Sequence, residues 1–258
     1  RDFCGPGGAL NIPVYISPIS VAFNLPGIQE LDLDAATIAG IFRHEITRWD
    51  DPAIAAQNSG VELPDLPITP IARADDSGTT ENFTDYLHSV VPEVWTDEED
   101  GSWPAELPTE RSQGNAGVVS LTAETEGAVT YADDSLVDDS LGKARVKVGS
   151  EYVAVSGEAA GTAVGEASRV EGTGPHDIAL ELDREPDAPG AYPVVLVSYH
   201  IYCSSYGDPE VLELAKEFGH YVVSEEGQQA SSEAVKSAPL PENLTAEAQA
   251  ALDSITLR

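Results

Sequence analysis

The sequence predicts an α/β fold, because strand-like and helix-like segments alternate along it. Residues 11–24 (NIPVYISPISVAFN) and 192–203 (YPVVLVSYHIYC) are rich in β-branched and aromatic residues, and the second is the strongest strand pattern in the chain. Between them, the short apolar run at residues 68–72 leads through Arg73 into residues 78–91, where Phe83, Leu87, Val90 and Val91 recur at helical spacing.

The other elements follow from local chemistry. Pro13 and Pro18 interrupt the first β-rich segment, so it reads as one or two strands with a bend, and Pro26-Gly27 reads as a turn. Asp34 suits an N-cap before Ile38, Ile41 and Phe42, and Asp51 caps a second helix with Pro52 as its first residue. The second helix stops near Asn58-Ser59-Gly60. Residues 95–112 form a loop rich in Trp, Pro and acid, followed by a helix at 116–123 and a strand at 128–132. VKVGSEYVAVS at 146–156 reads as a hairpin about Gly149-Ser150. An Ala-rich helix spans 157–168, and residues 172–190 read as loop. Helices follow at 209–223, at 231–234 and at 245–255, the last capped by Asn243 or Thr245.

A length of 258 residues fits one large domain or two small ones, and 41% hydrophobic residues suffice for a core. With 45 acidic and 13 basic residues the formal charge is −32, which repels nucleic-acid phosphates and anionic lipid; no nucleic-acid partner is expected. The charge does not exclude a small anion. Exposed charges are largely screened beyond about 8 Å at physiological salt, so local donors decide what a pocket holds. The five histidines (His44, His88, His176, His200, His220) are scattered, and no Cys or His pair has zinc-ligand spacing, so neither metal nor cofactor is implied. Trp49, Trp95 and Trp103 read as packing residues. Cys4 and Cys203 are compatible with two free thiols or one long-range disulfide. No apolar run is long enough to span a bilayer. The opening Arg-Asp-Phe-Cys, without a start Met, reads as a processed or truncated product.

One segment carries chemistry: Arg73-Ala74-Asp75-Asp76-Ser77-Gly78-Thr79-Thr80. A helix N-terminus presents unpaired N–H donors and the positive end of the macrodipole. Ser77 and Thr79 add hydroxyls, Gly78 lets a ligand approach the backbone, and Arg73 can grip an oxyanion with two parallel N–H bonds while Asp75 orients it. A serine N-cap beside surface charges would give the same local pattern. The segment is not a P-loop, because no lysine stands in it. Gln113 to Gly117 reads either as a Gly-rich border to the cleft or as a plain helix start. A hydrolase using Ser77 lacks the Gly-x-Ser-x-Gly context.

IARADDSGTTENFTDYL resembles the signature of the phosphate-binding proteins of the phosphate ABC transporter, the PstS family. LDAATIAGIFRHEITRWDDPAIAAQNSGVELP, NAGVVSLTAETEGAVTYAD, YPVVLVSYHIYC and FGHYVVSEEGQQ resemble further family segments, in family order. The resemblance covers nearly the whole chain. It implies a two-lobed periplasmic-binding-protein-like (type II) fold that closes on its ligand, with residues 1–22 plus 197–258 in an incomplete first lobe and 23–196 in the second. It implies that Arg73, Ser77, Gly78 and Thr79 bind phosphate: Ser77 and Thr79 through hydroxyls and backbone N–H groups, Gly78 through its N–H. Asp75 supports the arginine, and Asp76, where a small residue often stands, faces solvent or caps. The remaining family ligands, including a proton-accepting Asp, are expected upstream of Arg1; no motif supports Asp2 in that role. The implied function is capture of inorganic phosphate for ABC permease subunits by a non-enzymatic, monomeric protein, periplasmic or lipid-anchored at the cell surface. Export favours a Cys4–Cys203 disulfide. Another oxyanion binder or sensor, or a phosphatase-like hydrolase, is the alternative.

Overall fold

The computed structural model describes Cys4, residues 7–171 and residues 174–258 of the chain, so Asp2 lies outside the described residues. Its backbone is the strand β1 (Ala9–Phe23), a single 15-residue element in which both prolines have a structural role. Its pairing register slips between Pro13 and Tyr15, a bulge that tolerates the missing donor. At Pro18 the strand ends its pairing with one partner, and at Ile19 it begins pairing with another.

After β1 come β2 (Glu30–Leu33), α1 (Ala35–Phe42), α2 (Pro52–Gln57), β3 (Thr69–Arg73) and α3 (Gly78–Val90). The expected caps are present: Asp34 Oδ1 accepts from Thr37 N–H at 2.8 Å, and Asp51 Oδ1 accepts from Ala53 N–H at 2.8 Å. Then follow β4 (Glu110–Ser112), α4 (Gly114–Glu124), β5 (Ala128–Asp133), the hairpin β6 (Gly142–Val148) and β7 (Glu151–Val153), and α5 (Gly157–Gly165). The chain closes with β8 (Ser168–Arg169), β9 (Leu180–Glu181), β10 (Val195–Cys203), β11 (Ser205–Tyr206), α6 (Pro209–Val222), α7 (Glu225–Val235), α8 (Glu242–Asp253) and β12 (Thr256–Leu257).

The main sheet runs in the order β2-β6-β1-β5-β3-β4, with β3 parallel to both β4 and β5. The N-terminal half of β1 instead pairs antiparallel with β10, from Ala9↔Cys203 to Pro18↔Val195. Cys4 and Cys203 form a disulfide at the far end of that ribbon. Several elements differ from the sequence expectation, among them β9, which lies within the stretch read as loop. Helix α7 begins at Glu225, well before residue 231; Gly227 weakens its helical pattern, yet a Cβ there would meet Tyr221 O at 2.1 Å, so the close approach of α6 requires the glycine. Helix α8 begins at Glu242 behind Pro241, whose fixed φ sets the first turn without a side-chain cap from Asn243 or Thr245. Strand β10 starts only at Val195.

An aromatic core lies behind β3 and α3. Phe83 stacks on Tyr131 with ring centres 4.4 Å apart, Trp103 stacks on the same ring at 5.5 Å, and Phe42 meets Phe83 edge-on at 5.0 Å. Trp95, Trp103 and Trp49 are all buried, as the sequence indicates. Arg184, in the segment read as loop, fastens α3 to the chain entering β10. Its buried guanidinium donates to Asp85 and Asn82 of α3 and to the carbonyls of Pro193 and Val195. Strand β10 has β1 as its one strand partner among the described residues, and α6 beside it exposes Val211, Leu214, Phe218 and Tyr221.

Candidate oxyanion site

Strand β3 ends at Arg73, and four residues later Ser77 caps α3. Ser77 Oγ accepts from Thr79 N–H at 3.1 Å and from Thr80 N–H at 3.4 Å. Its own N–H donates to Gly101 O at 2.9 Å, so the acid-rich loop seals one side of the turn. The Thr79 N–H is thus held by the cap and the Ser77 N–H by the Gly101 carbonyl. What these two residues can direct outward is their hydroxyl protons. Gly78 N–H, at the first position of α3, has no acceptor among the described residues. Asp76 is exposed.

Arg73 is only 8% exposed. Its Nε donates to Asp75 Oδ1 at 2.9 Å and its Nη2 to Asp75 Oδ2 at 2.5 Å, a fork that fixes the guanidinium plane. Nη1 donates to Asn115 Oδ1 at 3.1 Å. Asp75 Oδ1 also accepts from Gly114 N–H at 2.9 Å, and the Arg73 and Gly114 donors together hold its carboxyl well below the usual carboxylate range. Gly114 has φ +70°, in the left-handed region, which places its N–H toward Asp75 and starts α4 beside α3. The stretch from Gln113 to Gly117 is thus the start of α4, and its Gly114 and Asn115 reach Asp75 and Arg73.

Behind the arginine, Tyr131 Oη accepts from Arg73 N–H at 3.2 Å and lies 2.8 Å from Thr80 Oγ1. Burial pushes the phenol up to about 12, so it stays protonated. Asn115 lies in the stretch that reads either as a cleft border or as a plain helix start, whereas nothing in the sequence marks Tyr131 beyond its place in a family-like segment. Tyr131→Phe should leave the Arg73 N–H buried without an acceptor, at a cost of about 1–3 kcal/mol. A thermal melt several degrees below the parent checks this, and an unchanged melt contradicts it. The histidines lie elsewhere: His44 meets Thr109, His200 stacks on Phe218, and His220 contacts Asp253.

One unpaired N–H at Gly78, two hydroxyls and a clamped guanidinium stand together without a lysine, a set suited to a tetrahedral oxyanion. Residues 4–226 match the model of a PBP superfamily domain. Phosphate-binding protein PstS 2 of Mycobacterium tuberculosis (strain ATCC 25618 / H37Rv) is 34% identical over 258 residues, covering 98% of this chain and 68% of that protein. The chain belongs to the PstS family. The PstS chain described here spans about two thirds of that relative's length. Its fold is also that of solved phosphate-binding proteins. The high-affinity periplasmic phosphate-binding protein PfluDING, solved with phosphate, superposes with a TM-score of 0.70 at 21% identity, over 95% of this chain and 71% of that one. A phosphate-binding protein from Stenotrophomonas maltophilia gives 0.70 at 19%, over 95% and 70%. These likenesses agree with the periplasmic-binding-protein-like α/β fold predicted from sequence. Among the described residues, no helix is long and apolar enough to cross a membrane.

Proposed function

We propose that this PstS-family chain captures inorganic phosphate outside the cytoplasm and hands it, as a monomer and without catalysis, to the permease subunits of an ABC importer. The observation that carries the reading is the Arg73 fork, held by Asp75 and Gly114 between the N-termini of α3 and α4. Arg73, Ser77, Gly78 and Thr79 are the ligands, and Asp75 is their support. Hydrogen phosphate needs donors for its charged oxygens and one acceptor for its proton, whereas sulfate offers no proton. The residues named here supply donors. The acceptor belongs to the opposing face of the cleft.

The same reading divides the chain into lobes, with residues 1–22 and 197–258 in one and 23–196 in the other. The change of partner along β1 between Pro18 and Ile19 supports a division within this strand, a few residues before position 22. The single partner of β10 and the apolar stripe on α6 support an open first lobe. Isothermal titration of the full-length protein with phosphate and with sulfate tests the assignment. Saturable phosphate binding with sulfate excluded is expected. Equal binding of the two, or binding of neither, overturns the phosphate reading.

A further inference from the structure

Asn115 is the second residue of α4, half-buried, and both ends of its amide are engaged. Arginine has only donors, so the atom facing Arg73 Nη1 at 3.1 Å must be the carbonyl oxygen. The same oxygen faces the Asp133 N–H at 3.4 Å, a second donor that fixes the amide the same way round. The amide nitrogen is therefore turned to Thr79 Oγ1, at 3.5 Å. A hydroxyl that accepts from an amide keeps its own proton for another partner. The Ser77 hydroxyl is in the same state, because its oxygen is occupied by the Thr79 and Thr80 N–H groups.

The geometry points to Asn115 as a positioning residue that sets the hydrogen-bond polarity of this face, making Thr79 a donor and locking Arg73 Nη1 in place. The inference rests on the oxyanion reading of the site. Its consequence is that Arg73, Ser77, Gly78 and Thr79 all donate, while the Asp75 oxygens are taken up by Arg73 and Gly114, so these four groups suit unprotonated oxygens of the ligand. The protonated oxygen of hydrogen phosphate must then turn to the opposite face. Asn115 itself makes no contact with the anion; it acts through Thr79 and Arg73.

The test is a double-mutant cycle in the full-length protein, with inorganic phosphate as the probe. Asn115→Ala removes the amide without adding charge, and should weaken phosphate binding roughly tenfold, the scale of one hydrogen bond to a charged group. Thr79→Val should cost about tenfold or more in the parent and clearly less in the Asn115→Ala background, because there the hydroxyl is no longer oriented. Melting temperatures of the variants should stay near the parent, since Asn115 is half-buried at a helix start. Undiminished affinity in Asn115→Ala, or an equal Thr79→Val cost in both backgrounds, overturns the inference while leaving phosphate binding intact. If the unaltered protein binds no phosphate, the reading of the site fails, and this inference with it.

Discussion

Arg73→Ala is expected to remove phosphate binding from the measurable range while leaving the fold intact. The guanidinium is the one full positive charge within the loop from Arg73 to Thr80, in a protein of formal charge −32. Its remaining N–H groups offer two charge-assisted bonds. At about 1.5–3 kcal/mol each, their loss lowers affinity by about 10²–10⁴-fold. The Asp75 carboxylate left behind adds repulsion. Its hydrogen bond to Gly114 remains, and Asp75 is partly exposed, so unfolding is not the expected outcome. Arg73→Lys should fail nearly as badly. A compact ammonium can satisfy Asp75 or reach the anion, but cannot offer a planar fork to both. Titration calorimetry reads the loss, and circular dichroism reads the intact fold. Retention of near-parent affinity in Arg73→Lys would show that the fork is structural only.

Asp75 also sets the pH behaviour of this face. Its folded value is depressed below the ordinary 3.8, so the stability it contributes is present above about pH 4 and is lost only as pH falls through the depressed value, in strong acid. Between pH 5 and 8 the Asp75 carboxylate therefore stays ionised and keeps its grip on Arg73.

The site was legible in the sequence to the extent that its chemistry is local. Arg73, Ser77, Gly78 and Thr79 stand within seven positions, and capping by Ser77 is a short-range signal. The same locality concealed one detail. The cap takes the Thr79 N–H onto the Ser77 hydroxyl oxygen, and the Ser77 N–H turns to the Gly101 carbonyl of the acid-rich loop. Tyr131 was not legible as a site residue, and Asn115 only as part of a stretch that borders a cleft or starts a helix, because what brings them to Arg73 is the parallel pairing of β3 with β4 and β5. Parallel neighbours share no turn, so no spacing rule marks them. Strand β2 was missed for a related reason. Four residues, Glu-Leu-Asp-Leu, become a strand only through parallel pairing with β6, from Glu30↔Lys143 to Leu33↔Val146. Arg184 reads as a loop cation until its four acceptors are assembled from α3 and from the chain before β10.

Removing the Cys4–Cys203 bond, by reduction or as the double Cys4→Ser, Cys203→Ser variant, is expected to lower stability by about 2–5 kcal/mol. The bond closes a loop with a sequence separation of 199, so its restriction of the unfolded chain is large. The folded state scarcely needs it to hold the local geometry, because β1 and β10 already align Ala9 with Cys203. The effect therefore acts mainly through the unfolded ensemble, and that gives it a second signature. Without the bond the denatured chain is less compact, so the denaturant slope should rise as the midpoint falls. A melt lowered by roughly 5–15 °C with a steeper denaturation slope is the expected pair of results. Equal midpoints would show that the constraint carries no stability. A lowered midpoint with an unchanged slope would locate the loss in the native ribbon instead, at the end of β10 where α6 begins to pack.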